Sequence, residues 1–269
     1  MPELPEVETT LRGVAPYLVG RKIVEITVRD KRLRWPVPDA IHELTGLKIE
    51  SARRRAKYLL FTTQGGTLLL HLGMSGSLRI VDPDSEWRKH DHVGILLGSG
   101  KQLRFHDPRR FGCMLLVDEP DTHPLLAELG PEPLEAEFTA AHLFAESRGK
   151  SSAVKTFIMD SKIVVGVGNI YASEALFIAG IRPTKAAGKV SRAEFAKLVD
   201  AIKRVLGASI EAGGTTLRDF LNEKGEPGYF AQSLRVYDRE GAACLRCDGT
   251  VKRIVLGQRS TYHCPKCQK

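Results

Sequence analysis

The chain has 269 residues, enough for two domains with a core each, and its 40 Lys and Arg outnumber 32 Asp and Glu to give a net charge of +8. That balance favours a polyanionic partner, either nucleic acid or an anionic membrane surface. No apolar run reaches the length of a spanning helix, and the opening residues alternate with charges, which excludes a transmembrane segment and a signal peptide and leads to a cytoplasmic expectation.

Leu4, Val7, Leu11, Val14 and Leu18 recur at steps of three and four, which predicts a helix over 3–18 with one buried face. Glu3 and Glu6 then share a different face near its start. Removal of Met1, favoured by the small residue that follows it, leaves Pro2 as a secondary amine beside the Glu3 carboxylate. An α-amino group with a pKa of about 7.7 to 8.0 is neutral in roughly a tenth to a fifth of molecules at pH 7, enough to act as a nucleophile. Added to a carbon that carries an oxygen leaving group, a secondary amine gives an iminium with no N–H to lose, so the positive charge persists as an electron sink. Glu3, if buried or close to Glu6, has a raised pKa and can protonate a departing oxygen. Proline at a helix start and glutamate in the first turn are also ordinary helix-start chemistry, and the pair alone does not separate the two readings.

Short β-branched runs follow at 22–28, 58–62, 67–72, 77–81, 93–97, 102–106 and 112–117, punctuated by Gly, Pro, Asp and Ser, and predict a sandwich or barrel. Lys57 stands at the mouth of the apolar run Tyr58-Leu59-Leu60-Phe61, with Arg53, Arg54 and Arg55 expected outside the strand. A lysine so placed either transfers protons with a lowered pKa or snorkels to water. Met74, in the loop Gly73-Met74-Ser75-Gly76, and Arg109 and Phe111, in His106-Asp107-Pro108-Arg109-Arg110-Phe111, are of the types that wedge open a duplex and equally of the types that pack a core. His90 and His92 flank Asp91 and read as strand caps or phosphate contacts in preference to a second metal site. Cys113, in an apolar stretch, is a core residue.

From Asp118 the texture changes, with Pro120, Pro124, Pro131 and Pro133 marking a linker into helical patterns. A helix is predicted from Asn169 to Ala179, entered through Gly166-Val167-Gly168 and stopped by Gly180 and Pro183. Such a glycine turn exposes N–H groups suited to a phosphate, or simply meets steric needs. Ser191 and Glu194 form a capping box that opens a second helix, with Phe195, Leu198, Ile202, Leu206 and Ile210 on its core side and Gly213-Gly214 at its end.

Cys244, Cys247, Cys264 and Cys267 pair as two Cys-x2-Cys knuckles separated by sixteen residues, a spacing that suits one tetrahedral zinc. A reducing compartment and the paired geometry argue against disulfides. Four thiolates leave no open position for water, so the metal is structural. Residues 235–269 hold eight Lys and Arg against three acids. That charge suits a phosphate-facing hairpin, or a protein-binding ribbon with a solvated basic face.

The segments PELPEVE, RRAKYLL, HLGMSGSLR, KHDHV, DPRRFG, VVGVGNIYASEALFIAGI, GGTTLRDF, PGYFAQSLRVY and the four-cysteine ribbon, in this order and over essentially the whole length, resemble the bacterial formamidopyrimidine-DNA glycosylases. The resemblance implies an α+β fold: an N-terminal catalytic β-sandwich with flanking helices over 1–130, a helix-two-turn-helix DNA-binding domain with the lesion loop over 131–234, and a zinc-ribbon β-hairpin over 235–269. It implies a monomeric bifunctional glycosylase and AP lyase with one structural zinc ion, located in the cytoplasm at the nucleoid, with no membrane partner. The implied substrate is double-stranded DNA containing oxidised purines, 8-oxoguanine and formamidopyrimidines, preferably opposite cytosine. By the same resemblance, Pro2 is the Schiff-base nucleophile, Glu3 the proton donor in base loss, Lys57 the donor associated with β-elimination and Arg259 the one associated with δ-elimination. His90, Arg109 and Lys150 are similar to DNA contacts, Asn169 to a phosphate anchor, and Met74, Arg109 and Phe111 to the triad inserted where the damaged nucleotide leaves the stack. Residues 215–237 resemble the mobile loop that closes over the lesion.

Asp238 stands where the resemblance leads one to expect glycine, a substitution aspartate tolerates if the backbone takes a positive φ. Two alternatives keep parts of this reading. One is an endonuclease VIII-type glycosylase acting on oxidised pyrimidines, from which Leu4 and Arg109-Arg110-Phe111 point away. The other is a zinc-ribbon DNA-binding protein without catalysis.

Overall fold

The computed structural model of the chain describes residues 2–214 and 233–269. Most of the stretch expected to be the lesion loop, 215–232, lies outside the described residues. Two compact units divide the chain, the first running to Ala127 and taking in Ala212 to Gly214, the second running from Glu128 to Glu211 and covering the C-terminal residues to Lys269.

The first unit is a β-sandwich with a helix against it. Helix α1 (Leu4–Leu18) buries the predicted stripe: Leu4, Val7, Leu11, Val14 and Leu18 are each at most 8% exposed, worth about 1.5–3 kcal/mol apiece. One antiparallel sheet takes the order β1 (Ile23–Val28), β6 (Asp91–Leu97), β7 (Gln102–His106), β5 (Ser77–Val81), and the other β2 (Ser51–Arg55), β3 (Tyr58–Thr63), β4 (Gly66–His71), β8 (Cys113–Val117). Leu59, Phe61, Leu68, Leu70, Leu78, Val93, Ile95, Leu103, Phe105 and Met114 fill the space between them. Arg53, Arg54 and Arg55 are strand residues, contrary to expectation: they form β2, paired antiparallel with β3 so that Arg55 faces Tyr58. An edge strand made largely of arginine has no apolar alternation to reveal it, and the pairing is supplied by its neighbour's ladder.

The second unit is helical and ends in a hairpin. It comprises α2 (Ala140–Ser147), α3 (Val154–Ile158), α4 (Asn169–Ala179), α5 (Arg192–Glu211) and the antiparallel pair β9 (Lys252–Leu256) and β10 (Arg259–His263). Helix α5 begins as its capping box requires, since Glu194 N–H donates to Ser191 Oγ at 3.2 Å and Ser191 N–H to Glu194 Oε2 at 2.9 Å. Helix α4 ends at Gly180, whose φ of +73° makes the left-handed cap. Arg246 caps the same end, donating to the Phe177 and Ile178 carbonyls at 3.2 and 3.3 Å with its guanidinium over the Phe177 ring.

Glu174 ties hairpin to helix. It is 1% exposed, and its carboxylate accepts the backbone N–H groups of Arg235, Val236 and Tyr237, each at 2.9 Å. A lone acid inside the apolar run Asn169–Ala179 was the sequence signal for such a buried, satisfied group. Asp238, which follows, does adopt a positive φ of +57°, and its carboxylate accepts from the Tyr262 hydroxyl at 3.3 Å. No helix among the described residues is long and apolar enough to cross a membrane.

Glu174→Gln puts an amide donor against one of the three N–H groups. We expect a stability loss of about 1–3 kcal/mol in urea denaturation, together with faster hydrogen exchange at the amides of Arg235, Val236 and Tyr237.

Candidate functional site

Pro2 and Glu3 are both buried at the mouth of α1, Glu3 only 3% exposed. Glu3 is the helix N-cap, and it forms a reciprocal capping box with Glu6 in which the Glu3 N–H donates to Glu6 Oε2 at 2.8 Å. Glu6 is equally buried at 3%. The pairing aims the Glu6 carboxylate at a backbone donor and fixes Glu3 in extended backbone geometry immediately after Pro2. Gly214, with φ +88°, lies against Glu6 so closely that a Cβ there would stand 3.4 Å from Glu6 Oε1.

Lys57 sits in the two-residue turn between β2 and β3, after Ala56 at φ +54°. A left-handed alanine costs about 1–2 kcal/mol, and here it is held by Arg54, which donates to the Ala56 carbonyl and to Glu8 Oε2, both at 2.9 Å. Glu8 also accepts from Arg12 at 2.9 Å. Burial opposes its ionisation, but the two guanidiniums prevail and keep its carboxyl below the usual range. The turn bearing Lys57 is thus lashed to α1, the helix that follows Pro2 and Glu3.

His71, opposite Tyr58 across β3 and β4, completes this corner. Its Nδ1 accepts the Gly73 N–H at 2.9 Å, so the ring is neutral with its proton on Nε2. Burial, with the Lys57 and Arg34 cations adding to it, pushes the His71 imidazole down to about 4. Nothing in the spacing of the sequence pointed to His71.

Met74 lies half-buried between β4 and β5, while Arg109 and Phe111 are exposed between β7 and β8. The Arg109 guanidinium stands 5.3 Å from the Phe111 ring centroid, and that ring is 46% exposed, far more than core packing allows. His90 is half-buried just before β6, edge-on to His92 at 6.2 Å and His106 at 6.0 Å. His106 Nδ1 meets Asp91 Oδ1 at 2.9 Å, and Asp91 also takes Arg79 at 2.6 Å and the Arg88 N–H at 2.9 Å. His92 Nε2–H donates to the Asp107 carbonyl at 2.8 Å. These are internal hydrogen bonds, and the histidines belong to no metal-ligating cluster among the described residues.

In the second unit Asn169 opens α4 with its side chain engaged. Its Oδ1 accepts from the Lys155 ammonium at 2.5 Å, and its Nδ2 donates to the Ser260 carbonyl at 3.0 Å, with a longer 3.5 Å contact to the Tyr237 hydroxyl. Lys155, 1% exposed, also donates to Thr261 Oγ1 at 2.7 Å. Its one signal in the sequence is a cation within the run Val154–Ile158. Helix α4 is thereby locked to β10, whose first residue, Arg259, is exposed after Gln258 at φ +61°. Lys150 is exposed on the loop after α2.

The four cysteine sulfurs lie within 4.8 Å of one another, with Cys244 to Cys267 at 3.9 Å and Cys247 to Cys264 at 3.6 Å. Ligands about 2.3 Å from a tetrahedral zinc stand about 3.8 Å apart, so these residues fit the ion. Backbone N–H groups of Arg246 and Gly249 point at Cys244 and Cys247 Sγ at 3.4 and 3.3 Å. Gln268 bridges the Cys264 N–H and the Ile181 carbonyl, both at 2.9 Å.

Three family models match the chain in succession: the formamidopyrimidine-DNA glycosylase N-terminal domain over 1–114, the H2TH domain of the same enzymes over 129–221, and the zinc finger found in FPG and IleRS over 241–269. The chain is 59% identical over 271 residues to the formamidopyrimidine-DNA glycosylase of Thioalkalivibrio sulfidiphilus, covering all of both chains. Among solved structures it is similar to a Lactococcus lactis FPG mutant bound to DNA containing Fapy-dG, with a TM-score of 0.92, 31% identity and full coverage of both chains. It is likewise similar to MutM (FPG) of Thermus thermophilus, with a TM-score of 0.88, 38% identity and coverage of 99% and 98%.

His71 titrates near 4 when folded and near 6.5 when unfolded, where the reference imidazole lies. The unfolded chain therefore binds the extra proton between these values, so stability is full above about pH 6.5 and falls as the pH drops towards 4. His71→Asn keeps an acceptor for Gly73 and lacks the titration. The wild type is expected to lose on the order of 3 kcal/mol more than the variant across that window in urea denaturation. Metal analysis should find about one zinc per chain, and Cys247→Ser should lose the ion and lower the thermal stability of the hairpin.

Proposed function

The chain belongs to the formamidopyrimidine-DNA glycosylase family, and from that premise we propose that its buried N-terminus is the nucleophile of a DNA glycosylase and AP lyase acting on oxidised purines. The observation that carries the reading is the pairing of Pro2 with a buried Glu3 whose orientation is set by the Glu6 capping box. Once Met1 is removed, the Pro2 nitrogen attacks the sugar C1′ of an extruded nucleotide while Glu3 protonates the ring oxygen. The sugar opens, the damaged base departs, and an iminium links Pro2 to C1′.

That iminium acidifies the neighbouring carbon. Loss of its proton expels the 3′ phosphate, and a second elimination expels the 5′ phosphate, leaving a one-nucleotide gap. Lys57, held at the β2–β3 turn beside α1, is suited to proton delivery in the first elimination, and Arg259 to the second. His90 and Lys150 contribute cationic or hydrogen-bonding contacts to phosphates, and Asn169 anchors another with the amide hydrogen that now makes only the 3.5 Å contact. Met74 and Phe111 fill the vacated stack while Arg109 reads the orphaned cytosine. Zinc, held by Cys244, Cys247, Cys264 and Cys267, supplies no chemistry and orders the hairpin that carries Arg259. The enzyme acts as a single chain on the duplex DNA of the cytoplasm. A damaged base costs less to unpair, which contributes to selectivity.

Borohydride should capture a covalent adduct between the processed, zinc-loaded protein and duplex containing 8-oxoguanine opposite cytosine. Glu3→Gln is expected to lower base excision by about 10²–10⁴-fold while still binding the duplex. Absence of an adduct with the wild type, or full excision by the variant, defeats the assignment.

A further inference from the structure

Asp107, just after β7, is fully buried, and the donors that satisfy it come from both loops proposed to enter the duplex. Its Oδ1 accepts from Ser75 Oγ at 3.1 Å and from the Arg109 N–H at 3.3 Å, and its Oδ2 accepts the Gly112 N–H at 2.8 Å. Ser75 follows Met74, and Gly112 follows Phe111. One carboxylate therefore touches the chain beside each of the three side chains.

The two loops also meet backbone to backbone. Gly73, at φ +66°, passes so near Phe111 and Gly112 that a Cβ on it would stand 2.4 Å from the Gly112 nitrogen. Arg110 takes a left-handed φ of +57° with its guanidinium 2.6 Å from Asp30 Oδ2, and the Gly112 carbonyl accepts the Arg34 N–H at 3.0 Å. From behind, Asp107 is clamped by the His92 ring on its carbonyl at 2.8 Å and by its own N–H on the His90 carbonyl at 3.0 Å.

We propose that Asp107 is a positioning residue that makes Met74, Arg109 and Phe111 one prebuilt wedge, so that opening the stack and reading the opposite base occur as a single event. A carboxylate out of water demands donors, and it finds them only while both loops keep this arrangement. Wedging a base step costs a few kcal/mol in unstacking, and loops ordered only on contact would add their entropy to that cost. The wedge side chains stay exposed while the backbone beneath them is fixed: Phe111 is 46% exposed above a Gly112 that is buried. The proposal deepens the glycosylase reading and rests on it.

Asp107→Asn keeps the shape and replaces one acceptor oxygen by a donor, so at least one of the two loops loses its hold. Ser75→Ala removes only the link to the Met74 loop. Both are compared with the wild type, as zinc-loaded full chains below their measured unfolding temperatures, in three assays. These are 2-aminopurine fluorescence beside the orphaned cytosine, single-turnover excision of 8-oxoguanine opposite cytosine against opposite adenine, and borohydride capture on duplex carrying a preformed abasic site. The Asp107→Asn protein should show insertion and lesion excision slowed about tenfold or more, and a cytosine preference reduced by a similar factor. Its capture rate at saturating protein should fall much less, because an abasic sugar needs no base extruded. Ser75→Ala should move the same readouts in the same direction by a smaller factor.

Unchanged insertion rate and cytosine preference in folded Asp107→Asn overturn the proposal. Equal losses in lesion excision and abasic capture also overturn it, since they would mark a general structural defect. If Asp107→Asn does not fold, Ser75→Ala decides: wild-type preference sinks the proposal and a reduced one sustains it. A wild-type protein that forms no adduct fails the glycosylase reading instead, so the two failures are distinct.

Discussion

A carboxylate withdrawn from water must be met by donors, and three such acids set where the working parts of this chain stand. Asp91 gathers Arg79, His106 and the Arg88 amide beneath His90. Asp107 gathers Ser75 and the amides of Arg109 and Gly112. Glu174 gathers three consecutive amides at the entry to the cysteine hairpin. Each would cost several kcal/mol if left unpaired; Asp107 and Glu174 take all the donors named here, and Asp91 the Arg88 amide, from irregular chain that lacks a ladder of its own. The acids thus give loops the definition that strands obtain from backbone pairing.

The same logic organises the groups at the N-terminus. Helix α1 is anchored along one face by apolar burial, so its first turn is rigid, and the Glu3–Glu6 capping box spends one acid on orienting the backbone of the other. Glu8, two residues on, takes Arg54 and through it the strained turn at Ala56 that presents Lys57. Pro2, Glu3 and Lys57 are all referred to one helix. A neutral His71 adds no charge beside Lys57 and Arg34 and continues the connection to Gly73 and the Met74 loop.

In the second unit a buried lysine plays the part that acids play in the first. Lys155 joins the opening residue of α4 to the β10 strand, while Arg246 and Gln268 join the far end of α4 and the residue after it to the cysteine knuckles. A hairpin this small buries little apolar surface: its cluster with α4 is Phe177, Val236, Cys244, Val251, Tyr262 and Cys264. Polar stitches and the metal therefore carry its order. The hairpin is basic, and Arg259 at the start of β10 is exposed.

Much of this was legible in the sequence. Periodicity located α1 and α5, glycine and proline punctuation located α4, β-branched runs located the apolar strands, the capping box placed the start of α5, cysteine spacing located the zinc ligands, and the motif order pointed to the family. The signals for the helices and strands are local, since each arises from residues a few positions apart that share a face or a turn. The linear order did not reveal β2, whose partner supplies its reason to exist, nor His71, Lys155 and the donor set of Asp107, which take meaning only from groups far along the chain. Residue types and their short-range spacing were determined by the sequence alone. Which buried charge meets which donor was decided by the tertiary structure, because the cost of desolvating that charge depends on everything packed around it.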